Sequence, residues 1–408
     1  MGIVITGIGV ITPVGIGKET FWGALLMGKS GFRKITLFDT SPFEVHIGGE
    51  IDFDPAVFLG KKGLRDLDRS TRLICSAARL AIDDSKLNIN EDNTHTTGVS
   101  IGSTFGSLHS ISQFDRVGLI EGPKFVNPSH FPNTVINSPA SHVSIRFYIK
   151  GFNTTISTGF CAGLDAISYG ADFIKMKRAE VVLTGGVEEL CEETFMGFHK
   201  LGCLSGLDGS DPISCPYDRR RNGLILSEGA AVIILEEEKH ALQRGTNILC
   251  MLKGYGNAFD PEAEIGFNHE GEGLKEAIEI ALNDASLRPE DIDCVISCAN
   301  STKGLDRMET KALKKALGGF ALRIPVTSIK SMIGETYSAS GALSLCAAIG
   351  ALQTGLIPPT INYEESDPDC DLNYVNKGPL KRDLKNILIT SADPYGQNAA
   401  IIIGRYEQ

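Results

Sequence analysis

The sequence predicts a layered α/β fold made of two similar halves. Short β-branched runs alternate with helices of small residues along the chain, which is typical of sheets covered by helices. Residues 154–183 and 324–357 each contain a strand, a turn and a small-residue helix, and this self-similarity indicates an internal duplication. Without other motifs, ordinary helix packing would be the preferred explanation. With the motifs below, we expect one continuous core and two halves, 1–245 and 246–408.

The individual elements follow from the same patterns. Strands are predicted where β-branched and aliphatic residues cluster, and helices where apolar residues recur at helical spacing. The predicted strands are 3–5, 98–101, 181–184, 231–235, 294–297, 386–389 and 400–404. The predicted helices are 70–85, 163–176, 272–285 and 340–355.

Composition limits the classes of function. The 408 residues carry a formal net charge of −11 with basic and acidic residues mixed, so no nucleic-acid-binding face is expected. The ten cysteines form no C-x-x-C pairs, so no metal site is predicted. No apolar run reaches the roughly 18 residues of a membrane span, and the first residues do not resemble a signal peptide. We therefore expect a cytoplasmic protein with reduced thiols and no membrane partner.

Residues 153–168 have the pattern of an active-site turn. The β-branched run 154–156 leads into a tight turn at Thr158 and Gly159, and a helix of small residues follows. Such a turn exposes one side chain at a helix N-terminus, where the helix dipole and free N–H groups stabilise an anion. A thiolate at that point would be acidified and reactive.

This segment resembles the signature of the β-ketoacyl-ACP synthase family, Ser-Thr-x-Cys-x-x-Gly-Leu-Asp-Ala. Ser157, Thr158 and residues 163–166 match it without a gap. Further blocks resemble the family in the same order along the chain, namely IVITGIGVITPVG (3–15), PYDRRRNGLILSEGAAVIILEE (216–237), KSMIGETYSASGAL (330–343) and the expected strand PPTINYE (358–364). The chain is therefore identified as a member of the family. The resemblance implies a thiolase-type fold, a duplicated five-layer α/β/α/β/α sandwich.

The catalytic cysteine and two histidines of the family are replaced. Placed without a gap, the signature puts Phe160 at the cysteine's position, with Cys161 one residue late. Cys298 stands where the first histidine belongs, and Glu335 stands where the second follows Lys-Ser-x-x-Gly. All eight histidines lie between residues 46 and 269, so the C-terminal third cannot supply an imidazole pair. Lys330 is retained, as is the acidic pair of residues 306 and 309.

These replacements remove the condensation mechanism. Condensation needs a thiolate to carry the acyl chain and imidazoles to polarise the malonyl carbonyl and stabilise the enolate. Phe160 cannot be acylated, and an ionised Glu335 would repel the enolate. Losing one such group costs about two to three orders of magnitude in rate, so losing all three leaves essentially no condensation. Residues 160, 298, 330 and 335 are therefore expected to be vestigial.

Two cysteines near the replaced positions, Cys161 and Cys298, could still have a catalytic role. Cys161 could act as a displaced nucleophile, but moving by one helical position rotates a side chain by about 100°, and a buried, small apolar residue is the preferred interpretation. Cys298 and Glu335 could form a new acid–thiol site. The simpler interpretation is that Glu335 pairs with Lys330, five residues earlier.

The segment 104–134 covers the pocket floor and the dimer contact of the family. The resemblance implies that Ser129 and His130 reach across a dimer, and that a chain tunnel is lined by Phe105, His109, Ile111 and Phe114. A packed or surface role is the alternative for His109. The loop 391–400 replaces the family's glycine-rich gate. Because Pro394 fixes φ, we expect this loop to open less readily, although a simple surface turn is the alternative.

A stripe of arginines offers a possible docking face. Arg65, Arg69 and Arg72 follow i, i+4, i+7 spacing, and Arg219 to Arg221 are consecutive. Each group is either a solvated face or a dock for an acidic acyl carrier protein, which would be attracted by charge.

The resemblance and the lost groups together favour a non-catalytic partner subunit. They imply the ketosynthase-β subunit, or chain length factor, of a type II polyketide synthase. It would form a heterodimer or heterotetramer with an active ketosynthase-α subunit, shape the elongation tunnel, and act with a phosphopantetheinylated acyl carrier protein, without a covalently bound cofactor of its own. The competing hypotheses are an active condensing enzyme or acyltransferase that uses Cys161, and a protein that binds an acyl carrier protein or lipid without a ketosynthase partner.

Overall fold

The computed structural model describes residues 2–263 and 267–407. The strands are β1 (Ile3–Thr12), β2 (Gly15–Ile16), β3 (Arg33–Lys34), β4 (Ile47–Gly48), β5 (Thr97–Gly102), β6 (Asn153–Ile156), β7 (Val181–Glu188), β8 (Gly229–Glu237), β9 (Cys250–Phe259), β10 (Cys294–Ile296), β11 (Pro325–Thr327), β12 (Leu356–Ile357), β13 (Asn373–Tyr374), β14 (Leu380–Lys381), β15 (Asn386–Ala392) and β16 (Gln397–Gly404). The α-helices are α1 (Lys18–Leu26), α2 (Pro55–Leu59), α3 (Arg69–Ser85), α4 (Leu108–Ile120), α5 (Ser138–Phe147), α6 (Ala162–Lys175), α7 (Glu192–Lys200), α8 (Glu238–Gln243), α9 (Glu272–Ala285), α10 (Lys303–Leu317), α11 (Lys330–Ile333) and α12 (Ser338–Thr354).

The two halves repeat one sheet topology. The strand order is β1-β8-β7-β5-β6 in the first half and β9-β16-β15-β10-β11 in the second, where β13 adds an outer strand. The pairs among β7, β5 and β6 are parallel, as are those among β15, β10 and β11. The predicted duplication is confirmed by this repeat. The division between residues 245 and 246 stays a prediction.

The layers follow the expected five-layer arrangement. Helices α6 and α12 lie against each other and against strands of both halves, so they form the middle layer. Helices α3 and α5 cover the outer face of the first sheet, and α9 and α10 cover that of the second. Separate apolar clusters fill the middle layer and the two outer interfaces. The thiolase-type sandwich is confirmed, with one addition: β1 pairs with β9, which joins the two sheets.

Small residues allow the middle helices to approach each other closely. A Cβ added at Gly163 would lie 2.2 Å from the carbonyl oxygen of Ser338, at the start of α12. One added at Gly341 would lie 2.5 Å from Cγ of Leu164. These distances are shorter than any van der Waals contact, so glycine is required at both crossings. The packing therefore fixes where α6 begins, and this is where the candidate site lies.

Most predicted elements are present, and the differences have local causes. Strand β9 was not predicted because its outward positions include half-buried lysine and tyrosine and an exposed asparagine. Helix α10 was not predicted because its segment was interpreted as a catalytic loop. The expected strand at 358–364 is wrong: β12 ends at Ile357, and the two prolines that follow begin a turn. Within the described ranges, no helix is both long and apolar enough to cross a bilayer.

Candidate functional site

The site lies where β6 turns into α6. A short 3-10 turn, Gly159–Cys161, joins the strand to the helix, which begins at Ala162. Gly159 adopts a φ of +61°, a left-handed conformation that costs other residues free energy. The predicted strand–turn–helix is confirmed. Its geometry places Phe160 at the head of the helix.

The Phe160 ring is buried in an aromatic cluster and is only 5% exposed. Its centroid lies 5.6 Å from that of Tyr337 and 6.3 Å from that of Phe198. The Phe105 ring meets Tyr337 edge-on at 5.5 Å. Aromatic pairs at these separations are favourable beyond the area they bury. Phe105, Phe160, Phe198 and Tyr337 thus form an aromatic plug, the name used below for these four residues.

A buried carboxylate anchors one side of the plug. Glu188 accepts hydrogen bonds from the backbone N–H groups of Thr104 and Phe105, at 2.8 and 3.0 Å, and from the hydroxyl of Ser338 at 2.7 Å. Burial raises the pKa of Glu188, although these donors oppose the rise. By holding the start of α12 and the loop before α4 together, Glu188 fixes the position of the Phe105 ring.

Cys161 points away from the plug. Its thiol is fully buried and donates to the carbonyl oxygen of Gln397 at 3.3 Å. Burial raises the pKa of Cys161 well above its usual value, and the charge of Asp165 adds to the rise. A catalytic thiol needs the opposite, namely a lowered pKa and access to substrate. The arrangement therefore matches a packed, small apolar residue.

Glu335 is held by four donors. Its Oε2 accepts from Lys330 Nζ at 2.7 Å and from Asn300 Nδ2 at 2.8 Å. Its Oε1 accepts from Tyr337 N at 3.0 Å and from Ser340 Oγ at 2.6 Å. The predicted pairing of Lys330 with Glu335 is confirmed. Burial opposes the charged form of Lys330, yet the charge of Glu335 leaves the Lys330 pKa raised. Each carboxylate oxygen thus uses both of its lone-pair directions.

Cys298 interacts with Glu309, whereas the sequence analysis considered Glu335 as its partner. Its thiol donates to Glu309 Oε1 at 3.3 Å, and its backbone N–H donates to the same oxygen at 2.9 Å. Glu309 also accepts from the Tyr217 hydroxyl at 2.9 Å. Burial raises the pKa of Cys298, and the charge of Glu309 adds to the rise. The acid–thiol pair of Cys298 with Glu335 is therefore wrong, and Cys298 is a weak donor within a buried network.

Asp306, the other member of the acidic pair with Glu309, connects this network to the loops around it. Asp306 accepts from the backbone N–H groups of Tyr217 at 2.8 Å and Asn300 at 3.0 Å. Burial raises the pKa of Asp306 to about 7, although the nearby charge of Arg221 acts in the opposite direction. Asn300 therefore bridges Asp306 and Glu335. Glu335 contacts Lys330 and the backbone of Tyr337, whose ring packs on Phe160.

Asp393 lies in the loop 391–400 that was predicted to replace the family's gate, and it contacts the head of α6. One carboxylate oxygen accepts from Phe160 N at 3.0 Å, and the other accepts from Tyr395 N at 2.8 Å. Burial raises the pKa of Asp393, and the charge of Glu335 adds to the rise, while both N–H groups lower it. The one available sequence signal was an Asp-Pro pair in a loop otherwise rich in small residues.

The other predicted tunnel residues lie on the surface of this chain. Ile111 and Phe114 are half-buried on α4, and His109 is exposed with Nδ1 3.1 Å from a Glu193 oxygen. Ser129 and His130 are exposed on the 3-10 segment Pro128–Thr134. Pro394 is half-buried between Asp393 and Tyr395. Phe105 alone of this set belongs to the plug, and tunnel lining by the others stays a prediction.

The arginine stripe does not form a continuous docking face. Arg69 turns inward, where its Nε lies 2.6 Å from an oxygen of the buried Glu228. Arg72 donates to the carbonyl oxygen of Leu64 at 3.1 Å. Arg221 is fully buried beside Asp306. A continuous basic face is therefore wrong, although Lys61, Lys62 and Arg65 remain exposed.

A separate surface groove lies elsewhere on the molecule. A groove of about 750 Å³ is lined by residues of the connection between the halves, the end of α12 and the C-terminal segment, including Asn247, Gln353, Lys381, Arg382 and Arg405. Its lining includes none of the motif residues. It is an open surface groove, and it has no part in the site described here. In the part of the chain that the structure describes, no group of His, Cys, Asp and Glu side chains is arranged to hold a metal ion.

Known proteins share this architecture over the whole chain. Family models for the N-terminal and C-terminal domains of β-ketoacyl synthases match residues 1–241 and 249–364. A 3-oxoacyl-acyl-carrier-protein synthase 2 of Coxiella burnetii is 35% identical over 406 residues, covering 99% of this chain and 98% of that protein. The ketoacyl synthase alpha subunit of the tetracenomycin polyketide synthase of Streptomyces glaucescens is 36% identical over 415 residues, covering 99% and 97%.

Solved structures agree with these relatives. The ishigamide ketosynthase/chain length factor superposes with a TM-score of 0.93 at 31% identity and covers 100% of this chain and 99% of that one. A type II polyketide synthase acyl-carrier protein in complex with its ketosynthase gives a TM-score of 0.91 at 28% identity, with 99% of each chain covered. The motifs, the duplicated sandwich and these similarities lead to one conclusion: the chain belongs to the β-ketoacyl synthase family and resembles the ketosynthases of type II polyketide synthases.

Proposed function

We propose that the chain is a non-catalytic, cytoplasmic ketosynthase-β (chain length factor) subunit of a type II polyketide synthase. It pairs with an active ketosynthase-α subunit, which carries the growing chain on its own cysteine. The single observation that carries the proposal is the aromatic plug, because a buried benzyl ring occupies the position that the family uses for sulfur.

The surroundings of the plug also argue against condensation. A base or an oxyanion donor must have a free lone pair or N–H directed at the substrate. Glu335 has its four lone-pair directions occupied by protein donors. Cys298 is directed at Glu309, and Cys161 at a backbone carbonyl. An active enzyme that uses Cys161 would need this thiol to be exposed and to have a lowered pKa. Here the thiol is buried and its pKa is raised.

The surface between α4 and β6 supports a partner subunit. Strand β6 ends the first sheet and pairs only with β5 among the described strands, so its outer edge presents free backbone groups. Exposed edges of this kind invite pairing with another chain. No described residue of α4 is buried, although the helix carries several large apolar side chains. A 13-residue helix with this composition is expected to be covered by a partner.

Exposed apolar side chains continue along the same segment. Leu119 is 86% exposed and Ile145 is 71% exposed. Others in the segment are Ile120, Phe125, Phe131, Val135, Ile136 and Tyr148. Large exposed apolar patches are typical of sites that bind another protein. Ser129, His130 and the outer side of α4 lie within it, so a ketosynthase placed there would enclose the predicted tunnel residues between the two subunits.

An acyl carrier protein is the second partner. Lys61, Lys62 and Arg65 form an exposed basic group after α2, and such charges accelerate the association of an acidic protein. The complex of an acyl-carrier protein with its ketosynthase among the similar structures supports this assignment. A chain that bound an acyl carrier protein without any ketosynthase would have no use for the apolar surface of α4 and β6.

Co-expression tests the proposal. The chain is produced with candidate ketosynthases that have the Cys-His-His set, and the mass of the complex is measured by size-exclusion chromatography with light scattering. We expect an equimolar heterodimer or heterotetramer, and aggregation or weak self-association of the chain alone. A stable, monodisperse monomer that binds no ketosynthase would contradict the proposal. A covalent acyl group on Cys161 or Cys298 after incubation with acyl-ACP would favour the active enzyme.

A further inference from the structure

We propose that Asp393 is an internal anion that occupies the head of α6, so that the loop before β16 inactivates this position independently of Phe160. This inference deepens the function proposed above and rests on it in one respect, namely that the site carries no acyl chain. It assigns a role to the loop that replaces the family's gate.

Two backbone donors converge on the Asp393 carboxylate. Phe160 N lies 3.0 Å from one oxygen, and Tyr395 N lies 2.8 Å from the other. Pro394, between the two loop residues, has no N–H to offer. N–H groups at the start of a helix are the usual donors to a bound anion. Because Phe160 N already donates to Asp393, this N–H group is not available to a substrate oxyanion.

The loop also clamps the turn from both sides. A Cβ added at Gly159 would lie 1.9 Å from the Asp393 carboxylate, so the acid rests directly on the turn. Ser391 Oγ donates to the carbonyl oxygen of Phe160 at 3.0 Å. The loop is closed by Asp393 N, which donates to Gln397 O at 2.8 Å, and by Gly396 N, which donates to Asp393 O at 3.1 Å. Both backbone polar groups of residue 160 are thus satisfied by the loop.

This arrangement has a consequence for any attempt to restore the nucleophile. A cysteine at a helix N-terminus is acidified by the helix dipole and free N–H groups. A carboxylate in contact with the same backbone raises the pKa of a neighbouring acid through repulsion between like charges. In Phe160→Cys, the introduced thiol should therefore have a raised pKa and react slowly as long as Asp393 is present. Removing the Asp393 charge should lower this pKa and make the thiol react faster.

Alkylation measures this difference. Phe160→Cys and the double variant F160C/D393N are prepared in the full chain, with and without its ketosynthase partner, and treated with iodoacetamide near neutral pH. Fragment mass spectra distinguish residue 160 from Cys161. We expect at least about tenfold faster labelling of residue 160 in the double variant, since one pKa unit changes the thiolate fraction tenfold. F160C/D383N is the matched control, because exposed Asp383 pairs with Arg405 on the surface and should leave the rate unchanged.

Equal rates in F160C and F160C/D393N, or no labelling of residue 160 in the double variant, would overturn the proposal. A second measurement needs no introduced cysteine. Hydrogen exchange of the peptide 157–164 should become faster in Asp393→Ala than in the wild type, and should be unchanged in Asp383→Ala. Unchanged protection in Asp393→Ala would also overturn it. Neither readout requires subunit pairing, so a chain that binds no ketosynthase would contradict the proposed function without affecting these results.

Discussion

Lys330 Nζ lies 2.7 Å from Glu335 Oε2 in a fully buried ion pair, at the position where the family places a lysine and a histidine. The pair neutralises a lysine that would otherwise be an isolated charge in the core. Glu335 also accepts from Asn300, Tyr337 and Ser340. Glu335 thus fixes the packing of the three segments that contain Asn300, Lys330 and Tyr337.

Breaking this pair should destabilise the chain strongly. Glu335→Leu leaves Lys330 charged and unpaired in the core, which costs about 3–5 kcal/mol. The double variant K330M/E335L should recover much of the loss, because it leaves no unpaired charge. Denaturant unfolding of the purified complex measures both values. Asp383→Asn, which removes an exposed pair with Arg405, should change the stability little. A stable Glu335→Leu variant would contradict the structural role.

The plug predicts a large packing cost at residue 160. Phe160→Ala removes a buried ring from contact with Phe198 and Tyr337, and such truncations cost about 3–5 kcal/mol. Phe160→Leu should cost less because it retains most of the volume. Thermal or denaturant unfolding gives the comparison. Similar stabilities for the alanine variant and the wild type would mean that the ring does not fill this space.

The apolar surface predicts a specific interface. Ile145→Asp places a charge on the exposed side of α5, beside edge strand β6, and should weaken subunit pairing at least tenfold, since desolvating an unpaired charge is costly. Leu322→Asp is the control, because Leu322 is also exposed but lies in the other half of the chain. The pairing constant is measured by titration with the ketosynthase partner. Equal effects of both variants would show that the interface lies elsewhere.

The buried carboxylate of Glu189 predicts a decrease in stability as pH rises from about 4.5 to about 8. It accepts from Ser70 N and His109 N, which begin α3 and α4. Burial and the charge of Asp68 raise its pKa to about 8. The folded state thus binds a proton that the unfolded state releases near pH 4.5, so stability falls as pH rises from about 4.5 to 8, by up to about 1.4 kcal/mol per pH unit.

Glu189→Gln should remove this dependence while keeping one acceptor for the two N–H groups. Denaturant unfolding at pH 6 and pH 9 should show a smaller loss for the variant than for the wild type. A parallel decrease in both proteins would assign the loss of stability to other groups.

The native thiols of Cys161 and Cys298 should not be acylated during turnover. Cys161 and Cys298 are buried, and burial is the main cause of their raised pKa values. After incubation of the complex with acyl-ACP, peptide mass mapping should find the acyl group on the ketosynthase partner and none on this chain. The partner serves as the internal positive control. An acyl thioester on either of these cysteines during turnover would overturn the non-catalytic assignment.

The sequence predicted those parts of the site that depend on residues close together in the chain. The β-branched run before Thr158 and the small residues after it predicted the strand, the turn and α6, because each preference is a property of neighbouring residues. The pairing of Lys330 with Glu335 could also be predicted from the sequence. The two opposite charges are only five residues apart, so they are expected to lie close together if both are buried. The role of Asp393 was not accessible, because its contact with Phe160 spans 233 residues.

The amino-acid order by itself determined the duplicated α/β architecture and the family, since these depend on short-range periodicity and on motif spacing. The three replaced groups remain a prediction from that spacing. Only the tertiary structure decided which acid meets Cys298, that Arg69 turns inward to Glu228, and that a loop carboxylate occupies the head of α6. Those contacts join segments far apart in the chain, and their partners are set by the packing of α6 against α12 between two sheets, which no local pattern specifies.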